Sequence, residues 1–222
     1  MEKMIKYNCT YDLVFKNVFK DEEILKDFLE AILGKKYNLH GIKYLNVEDN
    51  NSLIYKSSTY DIKLAIIDNE NVLKENIILE MQRNKPNYDI KRRISYYHHK
   101  LGTYSQLKGN ADYKSINTIS IFILNFNIYD DNICMKEFPS NEATHPNIKL
   151  SDDNVVIIEL KKINDLKNGK LKKWLEIITA NNLEGLKGES KIMDKAIDMI
   201  ETINRNKAFL EILEEEDKKE KK

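Results

Sequence analysis

The stretch from Ser58 to Gln82, STYDIKLAIIDNENVLKENIILEMQ, constrains the fold most. Two apolar, β-branched runs flank Asp68-Asn69-Glu70-Asn71, a segment suited to a turn, so the stretch predicts a β-hairpin. In the first run Ile62, Leu64 and Ile66 alternate with Asp61, Lys63 and Ala65. In the second, Ile77, Leu79 and Met81 alternate with Ile78, Glu80 and Gln82. Alternate side chains of a strand point to opposite faces, so Asp61 shares a face with Lys63, and Glu80 with Gln82. In the right register an acid from each strand meets on one side of the sheet. Two carboxylates there, partly sheltered by apolar neighbours, make a place for Mg²⁺, which takes oxygen ligands and keeps several waters.

The rest of the 222-residue chain is long enough for one large domain, or a core with an appendage. Seven glycines and three prolines argue against disorder and long flexible linkers. Lys+Arg and Asp+Glu both number 36, so the net charge is zero, and the local distribution of charge must decide any affinity for nucleic acid. No signal-peptide pattern and no membrane-spanning apolar run is present, and Cys9 and Cys134 sit in no motif. The expectation is a reduced, cytoplasmic protein with no membrane partner.

Taken in order, Met1–Thr10 reads as a lead-in. Val14, Phe15, Val18 and Phe19 predict a short helix, for which Asp12 is the favoured N-cap over a role as a third acid. A second helix is predicted from Glu22 to Leu33, with acids in its first turn and Gly34 at its end. Ile42–Val47 reads as a strand, ahead of the hairpin. Asn87–Lys108 reads as a basic helix: from Arg83 to Lys108 there are seven Lys/Arg and one acid, Asp89. Arg93, Tyr97, Lys100 and Tyr104 fall on one stripe, and Arg92, Tyr96, His99, Thr103 and Gln106 on the next. Gly109–Lys114 is expected to turn, and Ile116–Phe126 to form a central strand. Asn127–Pro146 reads as an excursion and Val155–Leu160 as a short strand. From Gly169 a helix with Leu171, Trp174, Leu175 and Ile178 on one face precedes a second, running through Ile192, Ala196, Met199 and Ile203 toward Leu213. Glu214–Lys222 reads as a solvated tail.

Several pieces, in order, resemble the PD-(D/E)XK nuclease family transposases, also called recombination-promoting nucleases. Asp12-Leu13-Val14-Phe15-Lys16-Asn17-Val18-Phe19 resembles the family's DxxFKxxF opening, and Asp27–Leu33 the helix that follows. Ile78-Leu79-Glu80-Met81-Gln82 is similar to its IEMQ, Arg93–Tyr97 to its RxxYY, Gln106–Gly109 with Tyr113 to its QLxxGxxY, and Val156–Lys162 to its later strand. The resemblance spans about residues 10–165. It implies an α/β fold: a restriction-endonuclease-like core, a mixed central sheet flanked by helices, over 1–165, with a helical C-terminal appendage and charged tail over 166–222. It also implies a metal-dependent DNA endonuclease tied to transposition or recombination.

By that resemblance Asp61 and Glu80 are the Mg²⁺ ligands, helped by the Met81 carbonyl, with Mn²⁺ or Ca²⁺ as alternatives. Gln82 stands where the superfamily usually carries Lys; an amide can orient a water but supplies no charge. Lys63, on the Asp61 face, is a candidate for the missing cation. Arg92, Arg93, Tyr97, Lys100 and Gln106 are the candidate contacts to double-stranded DNA, mainly to phosphates, which position the duplex without reading its sequence. The resemblance also makes a homodimer an expectation.

Plainer readings stay open beside these. Acids on strands more often face solvent than hold a metal. Arg93 is equally suited to be a structural partner of Glu80, Tyr96 and Tyr97 to be core aromatics, and His98 and His99 to be surface residues. Trp174 fits the core or an oligomer contact. The absence of lysine at 82 leaves open a silent member that binds DNA or restrains a related nuclease. The amphipathic C-terminal helices leave open a purely structural protein.

Overall fold

A computed structural model describes residues 4–45, 61–104 and 116–220, with the backbone alone at 103–104 and 219–220. The chain forms two compact units: His40–Lys162, and Met1–Leu39 together with Ile163–Lys222.

The first unit is built on a six-stranded mixed sheet. Its strands are β1 (Ile42–Tyr44), β2 (Ile62–Ile67), β3 (Leu73–Gln82), β4 (Asn117–Leu124), β5 (Met135–Asn141) and β6 (Lys149–Glu159), in the order β1-β2-β3-β4-β6-β5. β3, β4 and β6 run parallel and the outer pairs antiparallel. The hairpin of β2 and β3 forms as its alternation predicts. Asp68 closes it, its backbone N–H donating to the Val72 carbonyl and its Oδ1 accepting from the N–H groups of Glu70 and Val72. Asn71 takes the left-handed conformation the turn requires (φ 60°), which asparagine tolerates better than most residues. β4 is central and nearly all apolar, as a strand covered on both faces must be.

Helix α3 (Ile90–Tyr104) lies between β3 and β4 in sequence and packs on the sheet. It starts three residues later than Asn87 because Asp89 caps it, Oδ1 accepting from the Lys91 N–H. Its buried stripe is Ile90, Ile94, Tyr97 and Leu101, set against Ile78, Phe122, Leu124 and Ile157. That stripe turns one face of a basic helix into a lid for one face of the sheet.

Two strand assignments need correction. The expected excursion after Asn127 contains β5, an edge strand whose Pro139 is tolerated because edges need not donate on both sides. The last strand starts at Lys149 instead of Val155; its polar first half pairs with β5, so it does not need to be apolar. Gly109–Lys114 and Val47 lie outside the described residues.

The second unit is helical. Helices α1 (Asp12–Phe19) and α2 (Glu22–Leu33) pack with α4 (Lys170–Thr179), α5 (Lys191–Arg205) and α6 (Lys207–Glu220). Phe15, Phe19, Phe28 and Trp174 stack in sequence, with ring centroids 4.6, 4.8 and 5.7 Å apart. Trp174 is therefore a core residue, its indole N–H donating to Asp27 at 2.9 Å. Asp21 caps α2 and Gly34 ends it at φ 63°. Asp12, by contrast, is not a cap: it lies within the first turn of α1 and pairs with Lys16 at 2.8 Å. The lead-in is not peripheral, because Tyr7 and Cys9 are buried and Asn8 donates to Thr179 and Asn181. The C-terminal segment is two helices, broken where Asn206 turns its side chain to accept from the Ala208 N–H. The charged tail continues α6 to Glu220. Among the described residues no helix is long and apolar enough to cross a membrane.

Candidate metal centre and its basic helix

The register of the hairpin decides the site. Ile62 faces Leu79 across β2 and β3, so Asp61, one residue earlier, stands opposite Glu80. Opposed residues of an antiparallel pair project to the same face, which brings the two acids together. They clasp each other's backbone: the Asp61 N–H donates to Glu80 Oε1 at 2.9 Å, and the Met81 N–H donates to Asp61 Oδ2 at 2.7 Å. One oxygen of each carboxylate is thereby held by a backbone N–H.

Glu80 is 1% exposed, while Asp61 and Gln82 are half-buried. Gln82 Nε2 donates to the Met81 carbonyl at 3.2 Å, and the Gln82 carbonyl accepts from the Asn125 N–H at 2.9 Å. Lys63 lies opposite Ile78, on the same face as the two acids. The two carboxylates offer oxygen donors alone, which suits Mg²⁺ with waters completing its shell. Among the described residues there is no cluster of three or more His, Cys, Asp or Glu able to hold an ion. Asp61 and Glu80 fit a site that relies on the backbone and on water for the remainder.

Helix α3 covers this face. Arg93 Nη2 stands 3.8 Å from Glu80 Oε2, its Nη1 donates to the Tyr88 hydroxyl at 2.6 Å, and its guanidinium lies 4.9 Å from the Tyr97 ring centre. Burial disfavours the charged guanidinium. The Tyr88 bond and the negative charge of Glu80 outweigh that and hold Arg93 cationic, above its ordinary value. Burial, with the Glu80 charge beside it, pushes the Tyr97 phenol up, so it stays a neutral donor. Arg92 points outward, its side chain 90% exposed. Lys100 is half-buried, two turns beyond Arg93. Gln106 lies outside the described residues.

Two features were not legible at the level of motifs. Tyr88 stands five residues before Arg93, a spacing no helical pattern joins, because it precedes the helix. His98, expected at the surface, is half-buried, with Nδ1 2.9 Å from the buried Ser120 hydroxyl on β4. Burial foremost pulls its pKa down, against the opposing charge of Asp153, so it is neutral at pH 7 and pins α3 to the sheet. His99 is exposed, as expected.

A second buried acid lies on the same sheet face. Glu159, at the end of β6, aligns through Leu124 with Gln82 and is fully buried. It accepts from the N–H groups of Ile128 and Tyr129 and from Lys162 at 2.6 Å and Lys136 at 3.1 Å. Asp131 accepts from both lysines. Burial raises the Glu159 pKa, but the lysines and backbone donors overcome it and hold the carboxyl below its ordinary range. Both cysteines are buried free thiols, and burial pushes the Cys9 thiol far up, which makes it inert.

No curated protein and no solved structure matches the chain. A family model described as PD-(D/E)XK nuclease family transposase matches residues 9–222, a span that takes in the C-terminal helices as well as the sheet.

Proposed function

Because the chain belongs to the PD-(D/E)XK nuclease family transposases, we propose that it is a metal-dependent endonuclease, hydrolysing phosphodiester bonds of double-stranded DNA during transposition or recombination. The observation that carries this reading is the reciprocal clasp of Asp61 and Glu80, which sets two acids nineteen residues apart side by side under a cationic helix. In this reading Asp61, Glu80 and the Met81 carbonyl hold Mg²⁺, and Mn²⁺ or Ca²⁺ can replace it. With an ion held there, the site would gain a water of lowered pKa and a Lewis acid for the phosphate. Gln82, two residues beyond Glu80 on the same strand, would orient a water through its amide. Arg93 offers a guanidinium to a non-bridging phosphate oxygen, and Tyr97 keeps the guanidinium in place. Arg92, Lys100 and Gln106 contact the DNA backbone.

The family's nuclease-like core takes residues 1–165 in this proposal, and 166–222 form its helical appendage, although α1 and α2 share a core with α4–α6. The protein acts in the cytoplasm, and pairing of two copies lets both strands be cut.

One observation favours a second reading. Gln82 directs its amide N–H at the Met81 carbonyl, one of the three ligand candidates, and carries no charge of its own. A silent DNA-binding member fits that arrangement. A plasmid-nicking assay with Mg²⁺ separates the two. The nuclease reading expects nicking by the wild type and a loss of at least about 100-fold in Asp61→Ala and Glu80→Ala, as for removal of a group that stabilises charge in the transition state. No nicking by pure wild type with Mg²⁺, Mn²⁺ or Co²⁺ favours the silent reading.

A further inference from the structure

We infer that Arg93 is a stand-in cation: its guanidinium balances Glu80 while the metal is absent and passes to a DNA phosphate when an ion takes that carboxylate, so ion and DNA binding depend on each other. This rests on the nuclease reading of the site and adds a linkage that the reading alone does not contain.

A buried carboxylate keeps its charge only if another charge or several donors compensate it. Arg93 is placed to contribute, yet its contact with Glu80 is 3.8 Å, well beyond the 2.7–2.9 Å of a charge-assisted hydrogen bond. The short bond of the guanidinium goes to Tyr88 at 2.6 Å, and its flat face rests near Tyr97. Arg93 is therefore held beside Glu80 by two tyrosines, without a bidentate grip on the carboxylate itself. Lys162, by comparison, reaches Glu159 at 2.6 Å and is locked there.

The geometry makes the exchange inexpensive. No forked pair has to break for the guanidinium to leave Glu80, and Tyr88, its anchor, is exposed at the mouth of the site. A coordination bond from oxygen to Mg²⁺ is about 2.1 Å long, so an ion on Oε2 would share that oxygen's field with a like charge. While Arg93 stays, it weakens the ion. A phosphate that draws Arg93 outward removes the competition, and by linkage the ion then strengthens the grip on phosphate by the same factor.

The test is a Mn²⁺ titration of the full chain without DNA, comparing wild type, R93Q, R93M, R93K and D61N. A second arm measures the affinity for a fluorescent random-sequence duplex in EDTA and in Ca²⁺. Glutamine and methionine are good helix formers at this half-buried position, so two neutral variants guard against misfolding of one. The expected result is Mn²⁺ binding at least fivefold tighter in R93Q and R93M than in wild type. R93K, which keeps the charge, should stay within about twofold of wild type. Ca²⁺ should tighten duplex binding by wild type at least fivefold, and by R93Q less than twofold. Equal or weaker Mn²⁺ binding in both neutral variants, with binding still lost in D61N, overturns the stand-in role and leaves the metal site intact. Absence of Mn²⁺ binding in every protein, or binding untouched by D61N, overturns the site and the inference together.

Discussion

Glu80 and Glu159 occupy the same face of one sheet, both at the carboxyl ends of parallel strands and both buried. Their surroundings differ in kind. Glu159 is gripped at hydrogen-bond length by Lys162 and Lys136 and by two backbone N–H groups, with Asp131 tying the lysines together. Glu80 shares a backbone clasp with a second acid, and the guanidinium above it stands off at 3.8 Å. The first arrangement brings cations to an acid and fixes the 126–134 segment. The second brings acids to each other, which costs Coulomb energy unless a cation joins them. Equal burial thus accompanies two arrangements, a structural knot and the proposed metal site, and the two differ in how closely Lys162 and Arg93 approach their carboxylates.

The sharpest way to break this contrast is to remove each acid in turn. Glu159→Ala leaves two cations over a buried pocket and is expected to cost about 3–5 kcal/mol in denaturant unfolding. Glu80→Gln keeps an acceptor for the Asp61 N–H, so it should change stability by less than about 1 kcal/mol while abolishing nicking. Similar stability losses in the two variants would erase the distinction.

The hairpin and its two acids were legible because a period of two is written plainly in residues 61–82. The clasp was not, since register depends on the Asp68–Val72 turn and a bulge between Ile66 and Ile67. Glu159 was hidden for another reason: its partners Lys136, Ile128 and Tyr129 come from a stretch whose polar residues and Pro139 read as loop. The buried lead-in was equally opaque, because Tyr7 and Asn8 are held by Asn204, Thr179 and Asn181, far along the chain. Local periodicity finds elements; polar contacts between distant segments escape it. Arg93 shows the intermediate case, in which the motif marked the residue but only the fold gave it Tyr88.

Acid titration sharpens the comparison further. Burial raises the Glu159 pKa, but its lysines and backbone donors leave it lowered on folding. Its stabilising contribution is therefore present above the ordinary glutamate value and lost as pH falls through the lowered one. Glu30, in the helical unit, behaves alike: burial raises it, but Lys26, the Tyr37 N–H and Lys36 bring it to about 2. Stability measured by denaturant at successive pH values should decline toward acid in wild type. The decline should be shallower in Glu159→Gln and in Glu30→Gln, each measured against its own value at pH 7. An unchanged acid limb would count against both networks.

His98 tests whether α3 is anchored independently of the acids. His98→Ala leaves the buried Ser120 hydroxyl without its ring partner and should cost about 1–2 kcal/mol, with Mn²⁺ affinity shifted less than twofold. A large loss of Mn²⁺ affinity would mean that the site depends on the helix being pinned.

The smallest effect is expected at the exposed end of the basic helix. Arg92→Ala should leave stability unchanged and lower the salt slope of duplex binding by about one unit, the loss of one phosphate contact. An unchanged slope would remove Arg92 from the DNA path.

The most direct measurement is localised backbone cleavage by Fe²⁺ with ascorbate in the intact protein, with the cuts mapped by mass spectrometry. If Asp61 and Glu80 hold one ion, cuts should fall both beside residue 61 and within residues 80–82. Either Asp61→Asn or Glu80→Gln should abolish both sets of cuts. Cutting at one strand alone, or at sites indifferent to these substitutions, would contradict the shared ion.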